Sequence, residues 1–273
     1  KTNEDYMPYF HSLKKNCVTG YTYASIVGGQ TANTEFELLT GNTLGFLSAG
    51  TTAFQLYIHG QMPSLVSNLK AEGYSGNKAM HPFNPYNYNR PAVYKDFGFT
   101  DFIDKFDFPK NVKRVREYIS DEANVDRIIS EYEKNRKKTD QPFYMYNMTI
   151  QNHSPYDKDA ANFKQPIKIE SSKYDAEANR YLNLIKYSDD SLKQLTSYFE
   201  KCKEPTIILF LGDHQPRLTD EFMNKITNGQ YQTWSSEQMM KRYQVPFVIW
   251  ANYDIKEQHI EKTSMNYMQS ILT

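Results

Sequence analysis

Ile207-Ile208-Leu209-Phe210-Leu211-Gly212-Asp213-His214-Gln215-Pro216 is the stretch that decides the fold. A short, continuous apolar run bounded by turn residues reads as a strand buried on both faces, in a parallel sheet. It runs straight into an Asp-His pair and then a proline, which stops the strand. In open α/β sheets, ligands bind at the carboxyl ends of the strands. Two metal-competent side chains therefore stand where such folds keep their chemistry. Taken alone, the pair reads equally as a polar turn, with Asp213 capping and His214 exposed.

Working outward from this run, strands and helices alternate, the pattern of a mostly parallel central sheet with helices on both faces. Cys17 to Ser25 alternates β-branched and aromatic residues. Gly28-Gly29-Gln30-Thr31 turns into a helix over Ala32 to Leu39, ended by Gly41. Pro63 to Gly73 reads as a helix with Leu65, Val66 and Leu69 on one face. An Asn-, Pro- and Tyr-rich loop covers His81 to Arg90. Asp121 to Lys138 is a charged helix with Val125, Ile128, Ile129 and Tyr132 on its inner face. Pro142 to Ile150 is a strand leading to Asn152-His153. Asp175 caps a long helix from Ala176 to Lys203, and Val245 to Trp250 is another buried strand. A helix-like stretch from Met7 to Lys15 follows directly on the first residues, and the last residues, Leu272-Thr273, still read as helix. The whole, 1–273, reads as a single domain cut from a longer protein at both ends.

Lys+Arg and Asp+Glu both number 32 among the 273 residues. No global field points to nucleic acid or to an anionic surface, so charged ligands must be met locally. The 22 Tyr and 16 Phe suit stacking sites. No run approaches the ~18 apolar residues that span a bilayer. The two cysteines, Cys17 and Cys202, neither make a metal-finger pattern nor demand a disulfide.

Three groups fall at strand ends: Thr31, His153, and Asp213 with His214. Thr31 opens a helix, where free backbone N–H groups and the positive end of the dipole favour an anion. Its hydroxyl is a poor nucleophile until a base or a cation lowers its pKa; a simple N-cap is the other reading. Adjacent side chains on a regular strand point to opposite faces. Asp213 and His214 can therefore reach one ion only if the strand ends there, as Gly212 and Pro216 permit. Carboxylate plus imidazole suits Zn²⁺, Mn²⁺ or a similar ion. His153 could donate a proton to a leaving oxygen or bind phosphate, or simply lie at the surface. In the loop after His81, Tyr88 could stack on a ligand and Arg90 could grip a phosphate bidentately, or the loop could be plain packing.

Together these motifs resemble the extracellular catalytic domain of the lipoteichoic acid synthase family, sulfatase-like phosphoglycerol transferases of the alkaline phosphatase superfamily. The matching stretches are Gly29-Gln30-Thr31 with Thr34-Glu35-Phe36 and Thr40-Gly41; His81 through Asn89-Arg90 with Tyr94-Lys95 and Gly98-Phe99; Asn152-His153-Ser154-Pro155-Tyr156; and Gly212-Asp213-His214. The resemblance implies an alkaline phosphatase/sulfatase-like α/β fold. Thr31 would be nucleophile and metal ligand, Asp213 and His214 metal ligands, and His153 a catalytic residue. His81, Tyr88, Arg90 and His153 would hold the glycerophosphate. The cofactor would be a divalent metal, Mn²⁺ or Mg²⁺ with Zn²⁺ as a further option. The family's first strand ends in a glutamate that completes the metal site. That strand would precede Lys1, so the site is expected to be incomplete in this chain. The lipoteichoic acid polymerases also have Trp at the place of Tyr88 and an acidic residue at that of Phe83.

The function implied is transfer of glycerophosphate from an anionic, phosphatidylglycerol-like lipid to a glycan or glycerophosphate hydroxyl, through a phospho-threonine-type intermediate. The protein would be anchored by helices preceding this chain and act on the outer face of a bacterial membrane. A sulfatase is the nearest rival, but Thr31-Ala32-Asn33-Thr34-Glu35 lacks the oxidised Cys or Ser context such enzymes need. A phosphoethanolamine transferase or phosphodiesterase of the same superfamily would fit the nucleophile. A non-catalytic domain that binds glycerophosphate polymer is the alternative from another class.

Overall fold

A computed structural model describes every residue except 171, 172, 228, 231 and 232. In chain order, the first half comprises α1 (Pro8–Ser12), β1 (Cys17–Tyr23), α2 (Thr31–Thr40), α3 (Ala53–Leu56), α4 (Leu65–Ala71), β2 (Ser75–Met80), α5 (Arg90–Phe97) and β3 (Asp101–Ile103). The remainder comprises β4 (Arg114–Val115), β5 (Tyr118–Ile119), α6 (Asp121–Arg136), β6 (Phe143–Asn147), α7 (Ala176–Phe199), β7 (Ile207–Leu211), α8 (Asp220–Thr227), α9 (Ser236–Met240), β8 (Gln244–Ala251), β9 (Gln258–Ser264) and α10 (Met268–Leu272).

The helices begin where their caps place them. Ser64 accepts from the Ser67 amide, Ser120 from Ala123 and Asp175 from Ala178, each satisfying an amide that the first turn leaves without a partner. The fold is α/β. The parallel character resides in the sheet β3-β2-β6, all of whose pairs run parallel. The second sheet, β7-β8-β1-β9, is mixed: β1 is parallel to β9 but antiparallel to β8, and β8 is antiparallel to β7. β4 and β5 form a separate hairpin.

The strand before Asp213 therefore differs from the expectation in one respect. β7 is an edge strand with an antiparallel neighbour, and Ile207 at its start is exposed. Its unbroken apolar run has another cause: beyond Ile207, each face packs partly against a different layer. Leu209 and Leu211 pack with Phe36, Leu39, Phe247 and Ile249 on the α2 side. Ile208 and Phe210 pack with Leu192, Phe199, Val248 and Trp250 on the α7 side. Partial cover on both faces favours apolar residues from Ile208 to Leu211 and leaves strand direction undetermined.

β6 divides its side chains between the same two layers, Tyr144 and Tyr146 on the α2 side and Phe143 on the α7 side. Both β6 and β7 stand at the edges of their sheets. Cys17 and Cys202 are free thiols, and burial pushes the Cys17 thiol up to about 11. Among the described residues no helix is long and apolar enough to cross a membrane.

Candidate active site

The turn after β1 sets the position of Thr31. Gly28 and Gln30 both take left-handed backbone conformations (φ 71° and 62°). The Gly28 amide donates to the Gln215 carbonyl at 2.9 Å, and a Cβ on Gly28 would lie 2.7 Å from that of Arg217. Glycine is required there on both counts. Gln30 occupies the N-cap position without a side-chain cap, and Thr31 is the first helical residue. The hydroxyl of Thr31 is thus not consumed as a cap.

That hydroxyl donates to Asp213 Oδ2 at 3.0 Å and lies 3.4 Å from His214 Nε2. Asp213 Oδ2 and His214 Nε2 are 3.1 Å apart. β7 ends at Leu211, so Asp213 and His214 escape the alternation of a strand and turn to the same side. The Thr34 hydroxyl, one helical turn beyond Thr31, donates to the Asp213 carbonyl at 2.9 Å and anchors the loop to α2.

The donor set fits a cation. His214 Nδ1 lies 2.9 Å from the Gln215 carbonyl, which can only accept, so Nδ1 carries the hydrogen. A neutral His214 then turns the lone pair of Nε2 toward a carboxylate oxygen 3.1 Å away. Two facing lone pairs call for a proton or a metal ion between them. Mutual separations of 3.0 to 3.4 Å match the edges of a coordination polyhedron whose ligands stand about 2.1 Å from the metal. Among the described residues, no three His, Cys, Asp or Glu side chains gather into a metal cluster. The set in place is one carboxylate, one imidazole and one hydroxyl.

His153 lies in the turn beyond β6 and is exposed. Its Nδ1 donates to the Ser154 carbonyl at 2.6 Å, leaving Nε2 as the free end of the ring. The ring lies 6.2 Å from that of Phe83 at 22°, and 5.9 Å from that of Tyr118. His81 is buried, with Nδ1 donating to the Met148 carbonyl at 2.9 Å. Burial, with the Arg90 cation nearby, pushes its pKa down to about 4, so it is a neutral imidazole at ordinary pH.

Arg90 departs from the open phosphate clamp expected of it. It is 2% exposed, and its Nε and Nη2 both donate to Glu35 Oε1, at 3.2 and 2.5 Å. Nη1 reaches the Asn87 carbonyl at 3.4 Å. The guanidinium stands 5.1 Å from the centre of the Tyr88 ring, so that ring also has a partner within the protein. Tyr94 donates its hydroxyl to the other Glu35 oxygen. Glu35 lies one turn after Thr31 on α2, which makes it the link between the Thr31 group and the loop from His81 to Arg90.

Three residues drew no role from the sequence: Thr34, Glu35 and Arg116, whose Nη2 donates to the His153 carbonyl at 2.7 Å. Helical spacing from Thr31 is a signal for the first two, since positions three and four residues on share its face. Arg116 has no local signal.

The sequence model of the Sulfatase family matches residues 1–273. A putative cyclic β-1,2-glucan modification protein of Rhizobium meliloti is 34% identical over 260 residues, covering 92% of this chain and 39% of that protein. A lipoteichoic acid synthase of Staphylococcus aureus is 28% identical over 196 residues, 68% of this chain and 28% of that protein. The chain thus spans about two fifths or less of these relatives. The fold is shared with the Streptococcus pyogenes phosphoglycerol transferase GacH, solved with sn-glycerol-1-phosphate (TM-score 0.79, 21% identity, all of this chain and 68% of that one). With the family matched from end to end, over the same stretch that folds around Thr31, Asp213 and His214, the chain belongs to the sulfatase family.

Proposed function

We propose that this chain is the catalytic domain of a metal-dependent phosphoglycerol transferase, which moves glycerophosphate from a phosphatidylglycerol-like lipid to a hydroxyl acceptor. The observation that carries the reading is the contact of the Thr31 hydroxyl with Asp213 and His214 at the start of a helix. Those three residues would hold a divalent cation, Mn²⁺ or Mg²⁺ (Zn²⁺ also suits the donors). Such a cation supplies a lowered hydroxyl pKa and a counter-charge for phosphoryl oxygens.

The chain's own residues would act in two displacements. Thr31, its proton released to water, forms an Oγ1–phosphorus bond as the bond from phosphorus to the diacylglycerol oxygen breaks. His153, in its doubly protonated form, gives its Nε2 proton to the departing oxygen and is left as the Nδ1–H imidazole bonded to Ser154. The acceptor hydroxyl then attacks the same phosphorus and gives its proton to His153. The bond to Thr31 breaks, and the hydroxyl regains a proton from water. The first amides of α2 would face the phosphoryl group. His81 serves as a neutral hydrogen-bonding group. Arg90 and Tyr88 shape the loop that faces glycerophosphate, with Nη1 the guanidinium nitrogen least committed within the protein.

The acceptor proposed is a glycan hydroxyl, in line with the name of the Rhizobium relative, and a glycerophosphate hydroxyl is the second option. The open edges of β6 and β7, whose side chains share two layers, support a place for one strand between them. A strand preceding Lys1 would fill it and bring the expected glutamate beside Asp213. The chain would be anchored to a bacterial membrane through helices outside these residues and would act on its outer face.

Thr31→Ala in the complete protein is expected to abolish diacylglycerol release from a phosphatidylglycerol analogue. Mass spectrometry of the quenched wild type should find a glycerophosphate ester on the peptide containing Thr31. Near-normal turnover in the alanine variant would end the reading.

A further inference from the structure

We propose that Arg116 is the positioning residue that holds the His153 imidazole in place, an inference that rests on the role assigned above to His153. Arg116 opens the two-residue turn between β4 and β5, in which Val115 faces Tyr118. Its backbone is left-handed (φ 54°), a conformation that favours glycine or asparagine. Asn162 braces the turn from outside: its Oδ1 accepts from the Arg116 amide at 3.1 Å, and its Nδ2 donates to the Arg114 and Arg116 carbonyls at 3.1 and 2.9 Å. The turn's own chemistry thus disfavours arginine, so the side chain is where the reason for it lies.

That side chain runs inward and is 9% exposed. Its Nη1 donates to the Pro155 carbonyl at 2.6 Å, and its Nη2 to the Gln151 and His153 carbonyls at 2.8 and 2.7 Å. The guanidinium packs against the rings of Tyr118 and Tyr156, at 5.2 and 5.8 Å from their centres. The two carbonyls between are also engaged, that of Asn152 by the Tyr156 hydroxyl at 2.9 Å and that of Ser154 by the Tyr118 hydroxyl at 3.2 Å. Every carbonyl from Gln151 to Pro155 therefore accepts a hydrogen bond, and Arg116 is the donor to three of the five.

The consequence falls on His153. An exposed histidine on an unsupported loop samples many positions, whereas proton transfer needs a donor held within a narrow range of distance and angle. Here the backbone on both sides of His153 is clamped to one planar cation. A lysine at the same place would offer a point charge without the fork that spans several carbonyls.

Arg116→Asn separates the two roles that the residue could have, because asparagine suits the left-handed turn while removing the guanidinium. The full-length Arg116→Asn protein should still fold with a cooperative melting transition and lose turnover of a phosphatidylglycerol analogue in kcat, to the level of His153→Ala, with KM little changed. The double variant should be no slower than His153→Ala alone, and Arg116→Lys should recover part of the loss. At a pH where the ring is neutral, long-range ¹H–¹⁵N spectra should show His153 as a single Nδ1–H tautomer in the wild type and as a mixture in Arg116→Asn. Unchanged tautomer and turnover in Arg116→Asn, or losses that multiply in the double variant, would overturn the proposal. The spectra need no substrate, so they decide on Arg116 even if the wild type turns over no lipid, a result that would count against the transferase reading instead.

Discussion

The Thr34 hydroxyl is bonded to the backbone carbonyl of Asp213, the proposed metal ligand, rather than to its carboxylate. Thr34→Val keeps the shape and deletes the donor. It is expected to weaken Mn²⁺ binding by about ten- to a hundredfold, the usual effect of losing a group that orients a ligand. Calorimetric titration of the chain extended at its N-terminus checks this, and unchanged affinity would remove Thr34 from the site. At this scale the sequence is legible where the signal is local. Thr31 after a glycine turn, and Asp213-His214 after an apolar run, announce themselves by what adjoins them. Arg90 and Arg116 do not, because their partners lie 55 and 35 residues away at Glu35 and Gln151. An arginine in a polar loop looks the same whether it faces water or a buried carboxylate.

Between elements, the pair Glu35–Arg90 fastens α2 to α5 in a place closed to water, with Glu35 0% exposed. Removing one partner of such a pair strands the other charge. Glu35→Gln is therefore expected to cost about 3–5 kcal/mol of folding stability in urea titrations, and a loss under about 1 kcal/mol would mean that the pair is solvated. Among the helices, Asp175 marks the start of α7, whereas the short α9 escapes the sequence reading although Ser235 caps it. β2 and β9 carry too few apolar residues to stand out, since Ser-Gly-Asn-Lys and Gln-His-Ile-Glu-Lys hide their pairing in backbone hydrogen bonds. β7 was legible as a strand but not in direction, because coverage of both faces, rather than the orientation of its neighbour, fixes its composition.

Across the molecule, two buried groups pull stability in opposite directions with pH. Burial pushes the Asp121 carboxyl up to about 6, although Ser188 donates to it. Between its ordinary value of 3.8 and about 6, the folded state keeps a proton that the unfolded state has lost, so stability falls as pH rises, by about 3 kcal/mol in all. His81 does the reverse. Between about 4 and its ordinary 6.5, the unfolded state takes up a proton that the folded state refuses, so stability rises with pH. Asp121→Asn should therefore steepen the rise of unfolding free energy from about pH 4 to 6.5, and His81→Asn should flatten or invert it. Parallel curves for the wild type and both variants would refute these assignments. Considered mechanically, α2 is a rod of 10 residues, about 15 Å long. It bears Thr31 at its tip, Thr34 on the Asp213 loop and Glu35 on the arm that carries Arg90. A stiff rod transmits displacement without play. Tension on the Arg90 arm would therefore arrive at the Thr31 oxygen as movement of the whole shaft, and the proposed nucleophile has no hinge of its own.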